Sequence, residues 1–210
     1  MTKSEIVPTD AGDARITWHA ARKPWTVLAV SHGAGGGIEA RDLRALAAAL
    51  PAEGVSVALV EQPWRVAGKK VAPAPKTLDT GWRGLWPALA APGLPVISGG
   101  RSAGARVACR TARELGASAV LALSFPLHPP GRPEKSRADE LLGAGVPTLV
   151  VQGGNDPFGR PDEFPAGPYA LVEVPHGDHG FAVPKRAPIG QDEAVDLIVR
   201  EVAEWIAALR

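Results

Sequence analysis

The segment Gly100-Arg101-Ser102-Ala103-Gly104 sets one serine among small residues. That pattern suits nucleophilic attack where it joins an apolar strand to a helix. The turn is sharp, its backbone is strained, and larger flanking side chains would collide. Gly99, Gly100, Ala103, Gly104 and Ala105 supply the smallness. The serine oxygen then stands at the carboxyl edge of a sheet and at a helix N-terminus, where the dipole favours developing negative charge. The bland alternative is a glycine-rich turn with a capping serine. What separates the two is whether a base and an acid are placed to serve Ser102.

A serine hydroxyl attacks poorly unless a base takes its proton and a third group holds that base in the right tautomer. The chain has five histidines: His19, His32, His128, His176 and His179. For a serine on such a turn, the acid follows in the chain and the histidine comes last, each just beyond a strand. Asp156, in Gly153-Gly154-Asn155-Asp156-Pro157, falls just past the apolar run 146–152. His179, in His176-Gly177-Asp178-His179-Gly180-Phe181, falls just past the run 170–174. His176 is the rival base. Asp178, Asp162 and Glu163 are rival acids, although adjacency leaves Asp178 badly placed to bond the far nitrogen of His179. His176 and His179 also show H-x-x-H spacing, but no third zinc ligand accompanies them, so no metal is expected.

Ser31-His32-Gly33-Ala34-Gly35-Gly36-Gly37 ends another apolar run. Acyl transfer needs backbone N–H groups aimed at the developing alkoxide. Ala103 supplies one as the residue after the nucleophile, and Ala34 is the expected second, with Gly33 and Gly35 next in contention. A phosphate-cradling loop is the competing reading of a glycine run. However, Ile38 occupies the last position that G-x-G-x-x-G reserves for glycine, and G-x-x-x-x-G-K-[ST] occurs nowhere. A flexible turn is the remaining alternative.

Short β-branched runs alternate with alanine-rich helical stretches, the pattern of an α/β fold with a mostly parallel sheet and helices on both faces. Residues 15–19 alternate and read as an early antiparallel edge strand. The run 25–31 is continuously apolar, as a strand covered on both faces should be. Leu43, Leu46, Ala47 and Leu50 give 39–50 one apolar helical face. Strands are expected over 55–60, 95–98, 118–124, 146–152 and 170–174. Helices are expected over 77–89, 103–115, 137–142 and 191–209. Gly116 is placed to end the run 103–115 in a left-handed conformation. No repeat or linker divides the chain, so one domain over 1–210 is expected.

With 45% hydrophobic and 21% charged residues in 210, the chain can bury a core, which excludes disorder as its main state. The 23 basic and 22 acidic side chains leave a net charge of +1. Nucleic acid is therefore not an expected partner, since phosphate binding needs a concentrated basic excess. Four basic residues fall in the segment 65–76, which its prolines mark as a solvated loop. The single Cys109 cannot form an internal disulfide. No apolar run reaches the roughly 18 residues of a membrane span, and the N-terminal residues lack a secretory apolar region. A cytoplasmic protein with no membrane partner is the expectation.

Taken together, HGAGGG after a strand, GGRSAGARVA, GGND and HGDHGF resemble an α/β-hydrolase of the small kind without a separate cap domain. The wording is closer still to a group related to dienelactone hydrolases that includes hydrolase-like proteins of the testis-expressed and chromatin-complex families. The pieces extend from Trp25 to Leu209. The resemblance implies a Ser102–His179–Asp156 triad, serine hydrolase activity on esters or related acyl groups, and no cofactor. Dienelactone hydrolases proper carry cysteine where this chain has Ser102, so their substrate is not carried over. Some chromatin-related members act as scaffolds, which leaves a catalytically silent interaction module as one alternative. A peptidase built on the same three groups is another.

On the substrate side, the interval 125–145 is too short for a lid domain, and a small or accessible ester suits the open pocket that results. Trp64 and Phe125, each just past a strand, are candidate pocket walls, with Leu127 beside the latter. Trp82 and Trp86, four residues apart, read mainly as packing. Arg101 either forms an internal salt bridge or meets a carboxylate-bearing substrate. Trp205, with Ile198, Val202, Ile206 and Leu209, belongs to the buried face of the last helix.

Overall fold

In the computed structural model, which describes residues 2–210, eight strands alternate with six helices. The strands are β1 (Thr2–Thr9), β2 (Gly12–His19), β3 (Thr26–Ser31), β4 (Val55–Glu61), β5 (Val96–Arg101), β6 (Ala119–Leu123), β7 (Thr148–Gly153) and β8 (Ala170–Val174). The helices are α1 (Arg41–Ala49), α2 (Pro63–Val66), α3 (Pro75–Ala90), α4 (Ala103–Leu115), α5 (Ala138–Leu142) and α6 (Gln191–Ala208). All strands join one sheet in the order β1-β2-β4-β3-β5-β6-β7-β8. The β1–β2 and β2–β4 pairings are antiparallel and the other five are parallel.

The period-two rule explains how the central strands are covered. Along β3, Leu28 and Val30 pack into the core beneath α1 and α6, with Leu43, Leu46, Ile198 and Val202. Val27 and Ala29 point the other way, against Trp82, Leu85 and Leu89 of α3. Each face is apolar, so the strand reads as a continuous hydrophobic run rather than an alternating one. A third cluster packs Ala105, Ala108 and Ala112 of α4 on Val120, Ala122 and Val150. Burying a large side chain such as Ile198 or Leu85 contributes roughly 1.5–3 kcal/mol. Gly116 ends α4 at φ 66°, the left-handed conformation expected for it.

Three local readings change. Residues 2–9 form a strand, although TKSEIVPT is polar and carries Pro8. This strand lies at the sheet edge, so it needs no apolar face; β2 supplies its hydrogen bonds, and Trp18 Nε1 donates to Glu5 at 2.7 Å. It follows that β2 is covered on both edges and is not the edge strand the alternation suggested. Just before the expected loop 65–76 and running into it, Pro63 starts one helical turn, α2, because its fixed φ fits the first helical position.

Charges lace the helices of one face. Glu140 on α5 accepts from Arg106 Nε at 2.7 Å and Arg110 Nη1 at 2.9 Å, while Arg110 also grips Asp79 of α3 at 2.6 Å. Burial pushes the Glu140 carboxyl up, but the two guanidinium groups outweigh it and hold it below its ordinary value. A depressed carboxyl contributes stability that is complete above its unfolded value, about 4.5, and fades as pH falls through its folded value. Glu140→Gln should therefore lower stability by about 1–2 kcal/mol at pH 7 in urea titrations. The gap from the parent protein should close on acidification below about pH 4.5.

Candidate active site

Ser102 lies between β5 and α4 with φ 52° and ψ −110°, a left-handed region that a residue with a side chain rarely occupies. Such a conformation costs about 1–3 kcal/mol, so its surroundings must over-determine it. They do. Its amide donates to Leu123 O at 2.9 Å, and its carbonyl accepts from Arg106 N at 3.2 Å. A Cβ on Gly100 would strike the backbone of Gly104, and one on Gly104 would strike Ser31 and His32. A Cβ on Gly33 would come within 3.1 Å of the Ser102 Cβ. These glycines let the strand, the helix and the loop after β3 close on the serine.

The two other chemistry-bearing side chains rise from the same sheet edge. His179 Nε2 stands 2.9 Å from Ser102 Oγ, and its Nδ1 stands 2.8 Å from Asp156 Oδ2. A carboxylate only accepts, so Asp156 selects the tautomer protonated at Nδ1 and leaves Nε2 free to accept the serine proton. Asp156 is fully buried. Its Oδ1 accepts from Phe158 N at 2.8 Å and its Oδ2 from Gln152 Nε2 at 2.9 Å. The Phe158 ring lies 4.2 Å from the His179 ring, inclined by 31°. The rivals serve elsewhere. His176 is exposed, the Asp178 carboxylate caps Gly180 N and Ala182 N, Asp162 pairs with Arg160, and Glu163 bonds His128.

Ala103 begins α4, where first-turn amides have no partner within the helix. Ala34 is exposed in the glycine loop after β3. That loop is anchored by His32, whose Nδ1 donates to Gly33 O at 2.9 Å and whose Nε2 accepts from Gln62 N at 3.1 Å. Burial lowers the His32 pKa and keeps the ring neutral, as an accepting Nε2 requires. Its edge meets the Trp64 ring, with centroids 5.5 Å apart.

Trp64 walls a cleft of about 450 Å³ together with Gln62, Val66, Lys69, Pro73 and Leu78. Ser102, Asp156 and His179 do not line it; it lies on the β2/β4 side of the glycine loop. The segment 65–76 forms part of its wall, and Arg65 reaches toward Glu39 in the loop after β3 at 3.6 Å. Phe125 is fully buried and packs edge-on against Phe164. Its ring therefore has no surface for a substrate, which corrects the expectation that it lines the pocket; its carbonyl instead accepts from Gln152. Trp82 is likewise buried in the core, tilted against Trp86. The Arg101 guanidinium is turned inward, toward Asp42 and the carbonyl of His179. Cys109 is buried, and desolvation pushes its thiol up to about 12, so it offers no thiolate nucleophile.

Gln152, Phe158 and His32 went unread in the sequence. Gln152 carried a signal, since a glutamine closes a mostly apolar run just before the loop that bears Asp156. His32 carried one too, as a polar residue between a buried strand and a glycine loop. Phe158 had none, because its role depends on where the chain doubles back.

Comparison with known proteins follows the same lines. Among curated proteins, none matches this sequence. A lid-less α/β serine hydrolase, XC6422 from Xanthomonas campestris, superposes with a TM-score of 0.74 at 17% identity, covering 97% of this chain and 94% of that one. A dienelactone hydrolase from Anabaena variabilis gives 0.75 at 18% identity, over 99% and 97% of the two chains. Est1E from Butyrivibrio proteoclasticus, solved with ferulic acid bound, gives 0.72 at 15% identity, over 97% and 99%. Residues 24–207 match the family described as an alpha/beta hydrolase domain. The chain belongs to that α/β-hydrolase family.

Proposed function

We propose that the protein is a serine hydrolase that cleaves a small or accessible ester, or a related acyl bond, through an acyl-enzyme on Ser102. The observation that carries this reading is the continuous pair of hydrogen bonds from Ser102 Oγ to His179 at 2.9 Å and from His179 to Asp156 at 2.8 Å. Ser102 Oγ attacks the acyl carbonyl while His179 Nε2 takes its proton. Asp156 holds the imidazole and offsets the charge that develops on it. The amides of Ala103 and Ala34 receive the negative oxygen of the tetrahedral intermediate. His179 then protonates the departing alcohol, and the C–O bond to it breaks. In the second half, water gives its proton to His179 and attacks the acyl-serine carbonyl. The acid leaves, and the proton returns to Ser102. Ester and water alone balance the cycle.

The ferulic acid bound by Est1E and the lactone chemistry in the dienelactone hydrolase's name make hydroxycinnamoyl esters and lactones sensible members of a substrate panel, beside short alkyl esters and thioesters.

Ser102→Ala should abolish labelling by a fluorophosphonate probe and lower ester turnover by about 10⁴-fold or more with an unchanged melting temperature. Wild-type protein that resists the probe would identify a silent interaction module instead. Between β6 and β7 the chain makes only a 3₁₀ turn, Pro133–Lys135, and α5, with no lid. Initial rates should accordingly saturate smoothly with substrate. A jump in rate as the ester passes its solubility limit would contradict an open site.

A further inference from the structure

Arg101 is the last residue of β5 and the immediate neighbour of Ser102. Its guanidinium lies where three chain segments meet. Nη2 donates to the main-chain oxygen of His179 at 2.9 Å. Nε faces Oδ2 of Asp42, in the first turn of α1, at 3.5 Å. Nη1 looks toward Gly36 in the glycine loop, and Nη2 is close enough to Gly180 that a Cβ there would sit 3.3 Å away. Only 16% of the Arg101 side chain and 3% of the Asp42 side chain are exposed.

We propose that Arg101 and Asp42 are a positioning pair for the hydrolysis: Arg101 clamps the backbone of His179 to the nucleophile turn, and Asp42 aims and neutralises Arg101. The proposal rests on the reading of Ser102 as nucleophile.

The need for a clamp follows from how the histidine segment is held. Asn155 N donates to Gly177 O at 2.9 Å and Asn155 Nδ2 to His176 O at 3.3 Å, which ties that segment to the loop after β7. The Asp178 carboxylate binds the amides of Gly180 and Ala182 within the same segment. None of these bonds reaches the nucleophile. The Arg101 bond does, and a guanidinium bonding a carbonyl is charge-assisted and rigid in direction. Asp42 has two effects. Burial pushes the Asp42 carboxyl up and the Arg101 guanidinium pulls it back; ionised, it gives a nearly buried guanidinium the counter-charge such a group needs. It also cancels a positive charge that would otherwise oppose the imidazolium forming when His179 takes the Ser102 proton. Arg101 Nε and Asp42 Oδ2 are both buried without a hydrogen-bond partner among the described residues, so their 3.5 Å approach is a charge contact that neither atom shares with a hydrogen bond elsewhere. A guanidinium held in this way is not free to greet a substrate carboxylate.

The test compares Arg101→Met, Arg101→Lys, Asp42→Asn and the double variant Arg101→Met/Asp42→Asn with the parent. Each is assayed on a neutral ester and on one bearing a carboxylate, alongside thermal melts and fluorophosphonate labelling rates. Arg101→Met should lower kcat by roughly ten- to hundredfold on both esters, with KM held within about twofold and labelling slowed in parallel. Asp42→Asn should lower kcat in the same sense. The double variant should match Arg101→Met alone, because Asp42 acts through Arg101. Arg101→Lys keeps the charge beside Asp42 but not the fork, and it should show the same kcat loss in smaller measure; it carries the test if Arg101→Met does not fold. A KM rise confined to the anionic ester would overturn the proposal in favour of a substrate contact. Unchanged kcat in folded variants, or losses that simply add in the double variant, would overturn it as well. Ser102→Ala in the same assay judges the nucleophile separately: full turnover there would sink the serine reading whatever Arg101 does.

Discussion

A side chain held at φ 52° is the constraint on which the rest of this molecule turns. Ser102 is held out of the helical conformation by its amide, which is bonded to Leu123 on β6, while its carbonyl accepts the first bond of α4 from Arg106. The strain is tolerated because strand, helix and glycine loop pack against one another without Cβ atoms at Gly33, Gly100 and Gly104. Substituting any of the three would move backbone rather than side chain. The exposed geometry of one hydroxyl is thus set by residues that carry no functional group at all.

Several interior polar groups gather at this same edge. Ser31, His32, Gln62, Ser124, Gln152 and Asp156 are all buried near the carboxyl ends of strands. Burying such groups without partners costs about 1–3 kcal/mol each, so a fold selected only for stability would fill these positions with aliphatic side chains. Here the partnered groups organise loops. His32 staples the glycine loop to the end of β4, and Gln152 gathers Asp156 and the carbonyls of Gly159 and Phe125 around one amide nitrogen. Polar burial at the edge reads as the cost of holding loops in place.

Most of this was legible in the sequence where a periodic or spacing rule applied. The doubly covered strands announce themselves by continuous apolar runs, and the helices by their threefold and fourfold spacing. Ser102, Asp156 and His179 each follow a strand by a few residues, so a parallel sheet brings them to one edge without knowledge of contacts. What escaped has physical reasons. β1 is polar because an edge strand takes its order from its neighbour's hydrogen bonds rather than from burial. Phe125 was misjudged because proximity to a strand end says nothing of the side to which a ring turns, and it turned into the core. Arg101 left two readings open because a guanidinium next to a nucleophile pairs internally or externally according to what lies opposite. Asp42, from α1 far earlier in the chain, lies opposite.

Strand order shows why the histidine needs help to arrive. Ser102 follows β5 and His179 follows β8, with β6 and β7 between them in the sheet. Three inter-strand spacings of about 4.8 Å amount to roughly 14 Å. The segment after β8 must therefore fold back over the ends of two strands before its imidazole meets the serine. A side chain alone spans less than half that distance, so the backbone itself has to be carried across and fixed there. Asp156, which follows β7, lies on the way and holds the ring, and the loop's turns hold one another. The far end of the bridge also has a contact with β5. A long side chain at the residue before the serine reaches the loop without crowding Ser102, because its Cα belongs to the strand and its head group extends to the loop. Arg101 has that length, and the carbonyl it holds belongs to the histidine itself.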